Sequence, residues 1–128
     1  MKALTVKQPW ASLIINGYKK YEFRSWKTSY RGKLYIHAGK AMENDAKKRF
    51  KSYNLDYTFG AIIGEVTLVD CIPVDEKFND ELLKIDPLVY GRSNHVSNYA
   101  WKLEDVVIYD EPIYMKGQLG LWNYEDKK

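Results

Sequence analysis

Sulfur and imidazole are scarce in this chain. Its 128 residues include one cysteine, Cys71, and two histidines, His37 and His95. A lone cysteine forms no internal disulfide and offers no second thiolate to a zinc ion, which fits a reducing, cytoplasmic setting; near the end of an apolar run, Cys71 reads as a small core residue. The histidines lie far apart without metal-ligand spacing, so no metal or other cofactor is expected. The opening MKALTVKQPW lacks the apolar stretch of a signal peptide. No run approaches the roughly 20 apolar residues that span a bilayer, so no membrane association is expected. Internal repeats and low-complexity tracts are absent, and a 45% hydrophobic content suffices for one core, so residues 1–128 read as a single domain.

What is present is unevenly distributed charge. The net charge is only +3, but residues 1–53 hold thirteen Lys or Arg against three acids, a net of +10, and the remainder holds seven against fourteen, a net of −7. Such a split predicts one basic and one acidic face, and a basic face on a small domain commonly meets phosphates.

Pro9, at home in the first turn of a helix, and Gly17, at home in the left-handed turn that ends one, bracket a short helix over Pro9–Asn16. Trp10, Leu13, Ile14 and Ile15 make it largely buried. The run KKYEFRSW then reads as a strand. Alternation puts Lys19, Tyr21 and Phe23 on one side and Lys20, Glu22, Arg24 and Trp26 on the other. TSYRG at 28–32 reads as a turn into a second strand over Lys33–Ala38, which together suggest a hairpin. From Gly39 the spacing of Met42, Ala46, Phe50 and Tyr53 predicts an amphipathic helix with a basic outer face of Lys47, Lys48, Arg49 and Lys51. GAIIGEVTLVDCIPV, Gly60–Val74, reads as a central strand; Gly60 and Gly64 permit the bending that closes a small barrel, and Glu65 is either water-facing or a paired carboxylate. In the acidic stretch 75–92, Asn79 is a candidate helix cap and Pro87 a helix stop. Short strands are expected at Tyr99–Leu103, Val106–Tyr109 and Pro112–Met115, and an initial strand lies within residues 1–6. The sum is an α+β domain of about six strands, strongly bent or barrel-like, with two or three helices at its ends.

The stretch QPWASLIINGYKKYEFRSW, with G-x-K-x-x-E-x-R at Gly17, Lys19, Glu22 and Arg24, closely resembles the ASCH domain family, in particular its coactivator-type branch. GKLYIHAGK, GAIIGEVTLVDC and the terminal KGQLGLWNY extend the resemblance over most of the chain. It implies a PUA-like β-barrel and a cleft beside the first helix that binds RNA, DNA or a modified nucleoside. On that reading Lys19 contacts phosphate or transfers a proton, Glu22 and Arg24 pair or hold a base and a phosphate, Gln8 reads a base edge or caps the helix, Ser12 adds a hydroxyl, and Trp10, Trp26 and Tyr30 offer flat surfaces for stacking on bases. The first expectation is a binder of RNA or single-stranded nucleic acid, or of a modified nucleoside, with protein partners alongside. The alternative is a small amidohydrolase resembling family members that deacylate N4-acetylcytidine with a lysine, a threonine and a distant glutamate. Lys19 matches that lysine, but Glu22 stands at the threonine position, leaving Lys19 and Glu22 as the catalytic candidates and Glu65 as a candidate for the distant glutamate. A ribonuclease ranks third, because the usual histidine pair is not evident.

Overall fold

The computed structural model describes residues 1–91 and 94–125. Six strands form one sheet: β1 (Lys2–Gln8), β2 (Tyr21–Arg24), β3 (Gly32–Met42), β4 (Ala61–Pro73), β5 (Tyr99–Tyr114) and β6 (Leu121–Asn123). Their order across the sheet is β2-β5-β4-β3-β1-β6. β1 and β3 run parallel; all other neighbours are antiparallel. The order is open, yet the sheet curls until its far strands meet: the Arg24 guanidinium at the end of β2 donates to the Thr5 carbonyl of β1 at 2.9 Å. This is the α+β, barrel-like architecture expected from the sequence.

Helix α1 (Trp10–Ile15) plugs the curl. Ile14 and Ile15 join the main core with Leu4, Leu34, Ile36, Val66, Leu68 and Trp101, whereas Leu13 joins a second cluster under α2 (Asn44–Arg49), α3 (Glu76–Ile85) and α4 (Pro87–Tyr90). Apolar residues on two sides let α1 serve both clusters at once. Each fully buried Leu or Ile contributes about 1.5–3 kcal/mol, which is how a helix of under two turns holds its place. Its end is fixed as well. Gly17, at φ 82°, donates to the Ile14 carbonyl, and Tyr18 and Lys19 both donate to that of Leu13. This Schellman-type closure satisfies the free carbonyls and aims the chain into β2.

Several expected elements differ. The proposed hairpin between β2 and β3 does not form: β2 pairs with β5 (Tyr21↔Lys102 to Arg24↔Tyr99), and β3 lies between β4 and β1. A tight turn predicts a hairpin only if no longer-range partner competes, and the long β5 does. β3 also runs on to Met42, past the expected break at Gly39, so the helix begins only at Asn44 and a 3-10 turn at Lys51–Tyr53 completes the pattern. Asn79 does not cap α3. Asp75 does, accepting from the Phe78 amide, while Asn79 accepts from the His95 amide. Pro87 does not simply end that helix; it opens α4, with Asp86 as the cap. The last residue of the acidic stretch, Arg92, lies outside the described residues. The three short strands expected between Tyr99 and Met115 are one strand, β5, with register shifts against β4 at the irregular points and Asp105 at φ 51°. Gly64 lies at a register irregularity where β5 and α1 approach closely: a Cβ there would sit 2.4 Å from the Val107 carbonyl oxygen and 2.6 Å from Ile15 Cδ1.

Candidate functional site

Between α1, the end of β2, the end of β3 and the segment before β6 lies a cavity of about 670 Å³, within the range of small-ligand sites. Five cations line it, Lys7, Lys19, Arg24, Lys40 and Arg49, against the carboxylates Glu22 and Glu43. All five come from the basic first half of the chain.

The Schellman-type turn governs the centre of this site. Because its amide is tied to Leu13, Lys19 lies before β2 and outside the pleat. The strict alternation that would send Lys19 to the face opposite Glu22 therefore does not apply, and the Lys19 ammonium sits 2.7 Å from Glu22 Oε1. Arg24 Nη2 lies 3.0 Å from Glu22 Oε2. Lys19, Glu22 and Arg24 thus converge. The side chains of Lys19 and Glu22 are only 5% and 10% exposed. Burial pushes the Glu22 carboxyl up, but the charges of Lys19 and Arg24 and their hydrogen bonds more than reverse this and hold it below the usual glutamate value. The carboxylate has spent both oxygens on cations. Arg24 has not spent its donors: Nη2 serves Glu22 and Thr5, while its buried Nε has no partner among the described residues. Arg49 Nε is in the same condition.

Aromatic walls complete the cavity. The Trp10 indole lies between cations, with the Lys19 ammonium 5.5 Å and the Arg49 guanidinium 5.8 Å from its ring, and its Nε1 donates to Glu43 Oε2 at 2.7 Å. Trp26 is 37% exposed and meets Trp101 in an edge-to-face contact with ring centroids 4.7 Å apart. Phe23 is stacked by His95 at 3.7 Å, with the rings 11° from parallel. Burial first, and then the charge of Lys19, lowers the His95 pKa to about 4, with Glu22 opposing.

Of the residues singled out from the sequence, Trp10, Lys19, Glu22, Arg24 and Trp26 line this cavity and Gln8 and Ser12 do not. Gln8 is fully buried; its Oε1 accepts from the Ser12 amide and its Nε2 donates to the Thr58 carbonyl, so it ties α1 to the 54–60 segment. The Ser12 hydroxyl donates to the Asp56 carbonyl beside a separate space of about 270 Å³. Glu65 is elsewhere too, paired with Lys33 at 3.1 Å and accepting from the Tyr109 hydroxyl. Sequence reading missed Glu43, Phe23 and His95 as lining residues. Glu43 alone left a signal, as one of only three acids among residues 1–53. Among the described residues, no group of three or more His, Cys, Asp or Glu is arranged to hold a metal, and no helix is long and apolar enough to cross a membrane.

Comparison with known proteins places this geometry in context. The family model of the ASCH domain matches residues 4–113. Activating signal cointegrator 1 of Homo sapiens is 30% identical over 97% of this chain, as is that of Mus musculus. The chain spans only 22% of the length of either. Among solved structures, ASCH from Zymomonas mobilis superposes with a TM-score of 0.57 at 16% identity, covering 88% of this chain and 72% of that one. A point variant of the same bacterial protein gives 0.56 at 18% identity, covering 89% and 73%.

Proposed function

The chain belongs to the ASCH domain family, and on that premise we propose that residues 1–128 act as one cytoplasmic domain that binds RNA or other single-stranded nucleic acid, seating one nucleotide in the cavity beside α1. The observation that carries this reading is the combination, in one cavity, of five cations and the exposed indole of Trp26. An unpaired base stacks on an indole for about 1–3 kcal/mol. Phosphates on either side of it meet Lys7, Lys40 and Arg49. Lys19 and Glu22 neutralise each other and act chiefly to hold Arg24 in position. The name of the curated relatives describes a cointegrator of activating signals, and on that ground the proposal extends to protein partners.

A second reading, deacylation of a modified nucleoside such as N4-acetylcytidine, is favoured by one observation: the buried Lys19 matches the lysine of the family's amidohydrolases and lines the same cavity. It ranks lower because both Glu22 oxygens are engaged by cations and Glu65 does not line the cavity. Ribonuclease action ranks lower again, since only one histidine, His95, reaches the cavity.

The test is fluorescence anisotropy with a labelled single-stranded RNA decamer over a salt series. Three phosphate contacts predict a slope of log K against log salt of about −2. Lys7→Ala or Lys40→Ala should each reduce it by about 0.7, and Trp26→Ala should weaken binding at every salt concentration. A flat salt response, or no binding, overturns the reading. Cytidine release from N4-acetylcytidine, lost in Lys19→Ala, would put the hydrolase reading in its place.

A further inference from the structure

The second carboxylate of the cavity carries an inference about what the cavity selects. Glu43 stands at the N-cap position of α2, where a side chain ordinarily turns back to accept from the free amides of the first turn. It does not do so here; α2 has no side-chain cap. Instead the side chain reaches across to the Trp10 indole, whose Nε1 donates to Oε2 at 2.7 Å, while the Glu43 amide is pinned to the Gln8 carbonyl at 2.8 Å. Although Lys7, Lys40 and Arg49 line the same cavity, no cation lies within ion-pair distance of Glu43 among the described residues. Backbone and one oxygen are therefore fixed, and Oε1 has no partner among the described residues.

Glu22 cannot play this part, because its two oxygens are occupied by Lys19 and Arg24. The cavity thus holds one carboxylate engaged by cations and one with a free oxygen, and the latter is tied to Trp10 in the cavity wall. We propose that Glu43 is a specificity-determining residue, accepting from the exocyclic amino group of the seated base, so that the domain prefers nucleotides of cytosine, adenine or guanine to those of uracil. This rests on the nucleic-acid reading above and deepens it. The chemistry is a matter of sign. Cytosine presents an N–H donor at position 4, where uracil presents a carbonyl oxygen, so a fixed carboxylate attracts the one and repels the other. A surface cation in its place would favour the reverse.

The experiment compares labelled rC5, rA5 and rU5 by anisotropy at one salt concentration, for the natural chain and for Glu43→Gln. Glutamine keeps an oxygen for the Trp10 N–H, but it can also turn an amide donor toward a carbonyl, so it tolerates either base. The expected result is a preference of rC5 over rU5 of roughly five- to tenfold in the natural chain, falling below about twofold in Glu43→Gln, with superimposable thermal melts. Equal binding of the three oligomers by the natural chain, or a preference that survives in Glu43→Gln, overturns the role of Glu43 while leaving nucleic-acid binding in place. Failure to bind any of them overturns the binding reading and this inference with it.

Discussion

Replacing Glu22 with alanine removes the one carboxylate that compensates the buried Lys19. The Lys19 ammonium, 5% exposed, would lose its oxygen partner at 2.7 Å, whereas Arg24 would keep the Thr5 carbonyl. Removing one member of a buried pair costs about 3–5 kcal/mol, mostly through the charge left behind. The site borders a cavity that admits water, so the lower end, about 3 kcal/mol, applies. An unfolding entropy of about 2.1 cal/mol/K per residue scales to about 0.27 kcal/mol/K for a chain of this length, so the midpoint should drop by about 11 °C. Urea unfolding would measure the same loss as a shift in midpoint at unchanged m-value. The decisive control is Lys19→Met in the Glu22→Ala background. It removes the stranded charge and should restore about 2 kcal/mol. The effect should also fade with acid. The folded-state pKa of Glu22 is lowered, so its stabilisation is complete above the ordinary glutamate range near about 4.3 and is lost as the pH falls through the folded value. The gap between the natural chain and Glu22→Ala should therefore narrow below about pH 4. A loss under about 1 kcal/mol for Glu22→Ala, or no recovery with Lys19→Met, would refute the account of the triad as a compensated buried charge.

Two further outcomes follow from the same geometry. His95 should titrate near 4 in the folded protein when its ring protons are followed by NMR; because the unfolded chain takes up that proton near about 6.5, stability should fall as pH drops from about 6.5 towards 4, and His95→Phe should flatten that part of the profile. A ring that titrates at its ordinary value would show that the Phe23 stack does not desolvate it. Gly64→Ala should cost about 2 kcal/mol or more, since the added methyl meets the Val107 carbonyl at 2.4 Å and Ile15 at 2.6 Å; a thermal midpoint within 2 °C of the natural chain would show that β5 shifts freely.

The α+β, barrel-like class was legible because its carriers are local. The run Ala61–Pro73 is β-branched and apolar enough to be a central strand on its own, and Pro9 and Gly17 mark the ends of α1 with the chemistry helix ends require. Which strands pair was not legible, and the reason is physical. A four-residue strand such as β2 holds its place through its neighbours, and nothing in YEFR states whether the partner lies ten residues or eighty away. Asp75 and Asn79 illustrate the same ambiguity at a helix start: both are good caps, and the choice fell to the one whose competitor was already engaged by the His95 amide.

The site shows where periodicity misleads. Alternation along KKYEFRSW separates Lys19 from Glu22, because a period of two holds only inside a pleat. Lys19 is outside it, since the Leu13 carbonyl takes the amides of both Tyr18 and Lys19 and delays the strand until Tyr21. The glycine that ends α1 therefore does more than punctuate. By adding a turn of fixed geometry it moves the lysine to the side of the glutamate and the arginine, and the buried triad exists because Gly17 can adopt φ 82°. For Gln8 and Ser12 the same local reading points the other way. Their polar groups are engaged by the Thr58 and Asp56 carbonyls and the Ser12 amide, which lets α1 bury its start against the 54–60 segment. Polar residues flanking this buried helix differ in that respect: Gln8 and Ser12 are engaged by backbone, whereas Arg24 and Glu43, which line the candidate cavity, each keep an atom without a partner among the described residues.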